Sequence, residues 1–302
     1  MTDGAPPATP EEDEAERAER QTTPFLVLQF FIFPMAIVAV CVTVFVIFGL
    51  IAAEGKTARD YLAEVRTGSA NRRWQAAFEL SKVLQTKREA AVKDERFVPE
   101  IVALFDESAS DDPRVRRYLA VALGRLGDRR AVPSLVKAVT AAEAEPETLI
   151  YSVWALGAIG DPAATPNLLK LAVSEDPGVR KAVVHALGAL PSSETQAALT
   201  AALADGVEDV RWNAAIALSR RRDGAAAPIL LQMLDRQHLV AVPGITPEQR
   251  EDALLEGVAA AAALKDPELR RVLEGLRASD PSLRVREAAR RALALDSAGD
   301  VR

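Results

Sequence analysis

The feature that most constrains the fold of this chain is one helix-like segment written seven times. The pattern V-R-x-A-A-A-x-A-L-G-x-L starts at Arg72 (RRWQAAFELSKV), Val115 (VRRYLAVALGRL), Thr148 (TLIYSVWALGAI), Val179 (VRKAVVHALGAL), Val210 (VRWNAAIALSRR), Ala253 (ALLEGVAAAAAL) and Val285 (VREAARRALALD). Its ninth residue is Leu80, Leu123, Leu156, Leu187, Leu218, Ala261 and Leu293, at spacings of 43, 33, 31, 31, 43 and 32. The unit is therefore about 32 residues, with two insertions near 85–96 and 236–247. Between copies runs a second apolar helix, as in AVPSLVKAV (131–139), ATPNLLKLA (164–172) and AAPILLQML (226–234). Gly127-Asp128, Gly160-Asp161 and Pro191-Ser192 mark turns, and Asp112-Pro113 and Asp176-Pro177 read as N-caps. Nothing reads as a strand. A single helix pair cannot bury its apolar face, so such a repeat predicts an all-α solenoid of about seven stacked pairs.

Upstream of the repeats lies an apolar run, 25–53 (FLVLQFFIFPMAIVAVCVTVFVIFGLIAA), with no Asp, Glu, Lys or Arg in 29 residues. About 20 apolar residues cross a ~30 Å hydrocarbon core. The run is twice the length of a signal-peptide h-region and follows an acidic segment, which argues against cleavage. It therefore predicts a single transmembrane helix, kinked near Pro34. The sequence then divides into an acidic tail expected to be disordered (1–24), the span (25–53), a juxtamembrane helical linker (54–68) and the solenoid (69–302). Lys56, Arg59, Arg66, Arg72 and Arg73 flank the run on its C-terminal side, against Arg17 and Arg20 before it. That bias places the solenoid in the cytoplasm, at the inner membrane.

Charge excludes one class of partner. The chain is −6 overall and its tail holds seven acids and two bases, so the part beyond the uncharged run stands at −1. Nucleic-acid binding needs a concentrated basic field, and none is expected here. The one cysteine, Cys41, lies within the run, so no intrachain disulfide forms. No phosphate-loop, CxxC or HExxH motif occurs. Neither cofactor nor metal is expected. Usage rich in Ala and Arg points to a GC-rich bacterial genome.

The pattern D-P-x-V-R…A-L-G-x-L-G-D…A-V-P-x-L, over about 68–296, resembles HEAT repeats of the bilin-lyase-like subtype. The resemblance implies that the V-R helices line the concave side. It also implies that the arginines of the motif, Arg73, Arg116, Arg180, Arg211 and Arg286, form a structural ladder between repeats. Leu149 and Leu254 stand at the equivalent positions of two copies, which breaks that ladder. Deoxyhypusine hydroxylase has a similar architecture but holds iron with several His-Glu pairs. Here His185 is followed by Ala186 and His238 by Leu239, so that activity is not expected. A bilin-lyase-like or other cofactor- or lipid-handling activity remains the alternative to a non-catalytic role.

Numbering each V-R helix from zero at ~100° per residue, positions 0, 4, 7, 8 and 11 form the buried stripe and positions 2 and 6 lie almost opposite. Those two positions hold Trp74 and Phe78, Arg117 and Val121, Ile150 and Trp154, Lys181 and His185, and Trp212 and Ile216 in the first five copies. All three tryptophans of the chain fall on this stripe. Exposed, they make a partner-binding surface, since tryptophan anchors dominate interface energetics. Packed sideways against neighbouring repeats, they stabilise the solenoid. A Trp154→Ala, Trp212→Ala pair separates the two readings: loss of partner capture at an unchanged thermal midpoint, or a lowered midpoint. The expected role is a membrane-anchored, non-catalytic adaptor that binds a membrane-bound or peripheral protein partner through this face, with the lipid bilayer engaged by 25–53.

Overall fold

In the computed structural model, residues 33–52, 56–86, 88–89, 93–141 and 145–299 are described, and all their regular structure is helical. The chain divides into two units, 1–56 and 57–302. The first contributes α1 (Phe33–Ala52), which has no acidic residue in its first turn and no basic residue in its last. The apolar side chains described in it, over 33–47, lie open, from Val44 at 47% exposed to Phe45 at 80%. Among the described residues no helix is long and apolar enough to cross a membrane, so the structure does not support the span predicted over 25–53. Residues 25–32 and the acidic tail lie outside the described residues, and so do the turns that would carry a kink before Pro34.

The second unit is the solenoid. Its helices are α2 (Ala58–Thr67), α3 (Ala70–Thr86), α4 (Phe97–Glu107), α5 (Pro113–Leu126), α6 (Val132–Val139), α7 (Pro146–Ile159), α8 (Thr165–Leu171) and α9 (Pro177–Gly188). They continue as α10 (Ser193–Ala202), α11 (Glu208–Arg220), α12 (Ala227–Leu234), α13 (Arg236–Ala241), α14 (Pro247–Ala261), α15 (Pro267–Ser279) and α16 (Leu283–Gly299). The V-R segments are α3, α5, α7, α9, α11, α14 and α16, and each packs on the next to make one layer. The intervening helices form the second layer, with α4 on α6, α8 on α10 and α12 on α15. Helix α2 lies within 54–68 and packs on α3, burying Leu62 and Val65, two apolar residues three apart in a short amphipathic helix.

Local chemistry sets each boundary. Asp112 and Asp176 accept from the Arg114 and Val179 amides, with proline in the first turn, where a missing N–H costs nothing. Gly127 (φ +61°) and Gly160 (φ +70°) end α5 and α7 in the left-handed region. Asp128, Asp161 and Asp223 then accept from the amide two residues on and turn the chain into the second helix.

The A-L-G of the motif is a packing code. A Cβ built on Gly157 would stand 2.7 Å from both Cα and Cβ of Ala186, and one on Gly124 2.8 Å from Cα of Ala155. In the three copies that carry the motif glycine, Gly124, Gly157 and Gly188, it lies directly against the motif alanine of the next V-R helix. Gly157→Ala forces backbone from backbone and is expected to cost about 1–3 kcal/mol. Chemical denaturation measures it, and an unchanged midpoint would refute the close approach.

Candidate functional site

Stacking within the V-R layer decides which residues remain open. Position 5, at about 140°, is buried in every central copy (Ala120, Val153, Val184, Ala215), and position 9, at about 180°, is the interhelical glycine in three of them (Gly124, Gly157, Gly188) and the buried Ser219 in the fourth. The buried arc therefore runs from about 340° round to 180°, nearly twice the width expected from a single stripe.

Position 2 consequently faces the next repeat. Arg117 pairs with Glu145 at 2.7 Å and with Glu147, both at the start of α7. Lys181 pairs with Asp209 of α11 at 2.7 Å. The Ile150 side chain lies against Gly178 of α9. Trp212 is 7% exposed, and its indole Nε1 is buried with no hydrogen-bond partner. The expectation that Trp212 faces solvent is corrected: a ring that large on the flank of a stacked helix is taken up by packing. Trp74 is half-buried, with the Arg114 guanidinium 4.6 Å from its ring centroid. Trp154 is half-buried, and its ring reaches the backbone of Gly124 in α5.

The open stripe lies instead along positions 3, 6 and 10. At its N-terminal end it is aromatic: Phe78 meets Tyr118 edge-on at 5.1 Å, Lys82 stands 5.1 Å from the Phe78 ring, and Val121, Tyr151 and Trp154 follow. Towards the C-terminal end it opens into a cavity of about 300 Å³ between α9, α11 and α14. His185, Ile216 and Ala259 supply position 6, Asn213 and Glu256 position 3, and Arg220 and Ala263 position 10. Desolvation by the cavity wall, and then the nearby Arg220 charge, hold the His185 imidazole below its ordinary range although the residue stays open to solvent on one side, so it is neutral at pH 7. Asn213 is anchored by donating to the Asp209 carbonyl at 2.7 Å. Of the residues chosen from sequence, the cavity gathers His185 and Ile216. Tyr118, Tyr151, Asn213, Arg220 and Glu256 were not among them. Their signal was present in the repeat register, one residue round from the chosen stripe.

The motif arginines occupy the ends of the V-R helices. Arg180 donates to Asp205 at 2.8 and 3.0 Å and to the Ser174 carbonyl at 2.8 Å. Arg211 meets the Asp205 carbonyl at 2.5 Å and Glu208 at 2.5 Å, and Arg286 the Asp280 carbonyl at 2.6 Å. Arg73 pairs with Asp111 at 2.6 Å. Arg116 departs from the ladder role: it has no ion pair and lies over the Phe105 ring at 4.9 Å. Two further arginines reach the preceding V-R copy: Arg221 donates to the Leu187 carbonyl at the end of α9 at 2.6 Å, and Arg125 donates to the Ser81 carbonyl within α3. Among the described residues no group of three or more His, Cys, Asp or Glu is placed to hold a metal ion.

Two stacked helical layers, a close interhelical contact at glycine and one open face define an α-solenoid of paired helices. The family model for HEAT repeats matches residues 98–176, 139–210 and 174–241. No curated protein matches the chain by sequence. Among solved structures, the complex of CpcE and CpcF of phycocyanin lyase from Nostoc sp. PCC7120 is similar at 22% identity and a TM-score of 0.52, over 80% of this chain and 94% of that one. A designed armadillo repeat protein in complex with the peptide (KR)4 aligns at 17% identity and a TM-score of 0.44, over 80% and 100%. Human deoxyhypusine hydroxylase aligns at 19% and 0.33, over 80% and 96%. These likenesses concern the fold.

Proposed function

We propose that this chain is a non-catalytic scaffold that binds a protein partner along the open stripe of the V-R layer. The observation that carries the reading is the stripe's make-up: an aromatic stretch running into a cavity with a few convergent polar groups, on a rigid repeat surface. That is the anatomy of a protein-binding face, with large apolar anchors and a polar rim. Neither the nucleic acid nor the cofactor classes find comparable support in charge or side-chain clustering. The alternative, a cofactor-handling enzyme or enzyme subunit, draws on the fold likeness to the phycocyanin lyase complex alone.

We further propose that the charge-free run 25–53 anchors the scaffold in the cytoplasmic membrane, with the solenoid on the cytoplasmic side. This part rests on the sequence, on the excess of flanking bases after the run, and on the open apolar side chains of α1.

One experiment addresses both. The tagged full chain and its His185→Glu, Ala259→Glu variant are expressed in the native host, and washed membranes are extracted in detergent. Both proteins are expected in the alkali-resistant membrane fraction, whereas residues 57–302 alone are expected in the supernatant. The wild type is expected to retain a partner that the variant loses at least tenfold, at a thermal midpoint within a few degrees, because both substituted side chains are exposed. Equal capture by both would overturn the stripe, and release of the full chain by alkali would overturn the anchor.

A further inference from the structure

The departure of Arg116 from the ladder marks a second site, independent of the open stripe. In four of the five copies bearing the motif arginine, an oxygen of the chain meets the guanidinium, as described above. Arg116 has no hydrogen bond or ion pair among the described residues, and its Nε is buried without a partner. It lines a cavity of about 370 Å³ enclosed by the α4–α5 loop, α5, the end of α6 and the start of α7. Lys137, also without an ion pair among the described residues, lines the same cavity. The acids around them are engaged elsewhere: Asp111 by Arg73 at 2.6 Å and Glu145 by Arg117 at 2.7 Å. Asp106, whose field favours the charged form of Arg116, accepts from the Ser134 hydroxyl at 2.8 Å.

The chain contains its own control. The corresponding notch two helix pairs on is lined by Arg180, and there the Asp205 carboxylate takes the guanidinium in a two-pronged pair. Counting from the buried leucines Leu135 and Leu199, the position of Lys137 is Ala201 in that notch. Both notches are open, at about 470 Å³ around Arg180 and about 370 Å³ around Arg116; the first pairs its arginine with a carboxylate, whereas the second sets an arginine and a lysine beside Asp111 and Glu145, which are paired elsewhere. A desolvated guanidinium without an anion is costly, and the planar fork of arginine suits a carboxylate. The positive end of the α7 dipole adds to the same field.

We propose that this notch binds a carboxylate supplied from outside the chain, with Arg116 as the bidentate ligand and Lys137 as the second cation. An acidic side chain of a protein partner and a small free carboxylate share this chemistry. Binding is measured on the full chain in detergent by anisotropy of a labelled tetra-aspartate peptide, with acetate as competitor. Arg116→Met and the exposed Lys137→Ala are each expected to weaken peptide binding at least tenfold, and Arg129→Ala, on a side chain 76% exposed, to leave it within twofold. Peptide binding resistant to molar acetate assigns the site to an acidic peptide, and full displacement by millimolar acetate assigns it to a small carboxylate. Equal binding by all four proteins would overturn the proposal as general charge attraction. Glu143, by sequence six residues before Leu149 as Asp205 is before Arg211, lies outside the described residues. If binding appears only in Glu143→Ala, the chain's own carboxylate is the ligand and the proposal fails.

Discussion

Trp212→Ala is expected to destabilise the solenoid by about 3–5 kcal/mol, the range for deleting a large aromatic from a packed interior. At roughly 2–4 °C per kcal/mol for a domain of this size, the midpoint falls by about 6–20 °C. The ring sits on α11 at the flank where repeats stack and is 7% exposed, so its removal opens a cavity in the V-R layer. Trp212→Phe separates size from polarity. The buried Nε1 has no acceptor, and such an orphan donor costs about 1–3 kcal/mol that phenylalanine does not incur. The phenylalanine variant is therefore expected to recover most of the loss. Thermal or urea unfolding followed by far-UV circular dichroism reads both. A midpoint unchanged in Trp212→Ala would return this residue to the partner-binding stripe.

Arg236→Ala is expected to cost about 2–4 kcal/mol at neutral pH, somewhat less than the loss for a fully buried pair because the arginine is 36% exposed. Arg236 opens α13, inside the second insertion, and holds Asp280 through two bonds of 2.7 Å. The Asp280 side chain is 1% exposed. Burial alone would push its carboxyl up, but the Arg236 bonds and the Ser282 amide outweigh burial and hold it below the usual carboxylate range. A depressed folded pKa contributes stability above the unfolded value of about 3.9, which is lost as pH falls through the folded value. Without Arg236 the carboxyl rises, so the deficit of the variant is largest near pH 7 and shrinks as the solution is acidified. A deficit independent of pH between 3 and 7 would show that the pair acts through packing alone. The contact also gives the insertion a purpose: it is tied to the start of α16, and none of its residues lines the 300 Å³ cavity.

The repeat was legible because its causes are local. A leucine at the ninth position, a capping aspartate before proline and a glycine at the turn act within one or two turns of chain. Seven copies make the pattern visible without a homologue. Arg222 shows the limit of such local reading. It takes φ +58° where two other copies place glycine, because the end of α11 before it and the Asp223 cap after it fix the chain on either side. The packing of α2 was not legible for a similar reason: two buried residues in ten do not show what a helical linker rests on until α3 is seen beneath them.

Sequence alone determined that this chain is an all-α repeat, where its helices begin and turn, and that a charge-free run precedes it. Each of these follows from periodicity and capping over a few residues. Tertiary structure decided which side of the V-R helices stays open. A helical wheel sees one buried stripe, but stacking buries both flanks as well. That extra burial turned Trp212 inward, moved the open stripe to Tyr118, Tyr151, Asn213 and Arg220, and left Arg116 without the chain oxygen that its counterparts meet. The partner of a side chain on a flank belongs to the next repeat, about 30 residues away, and no local pattern records whether that residue is an aspartate or an empty notch.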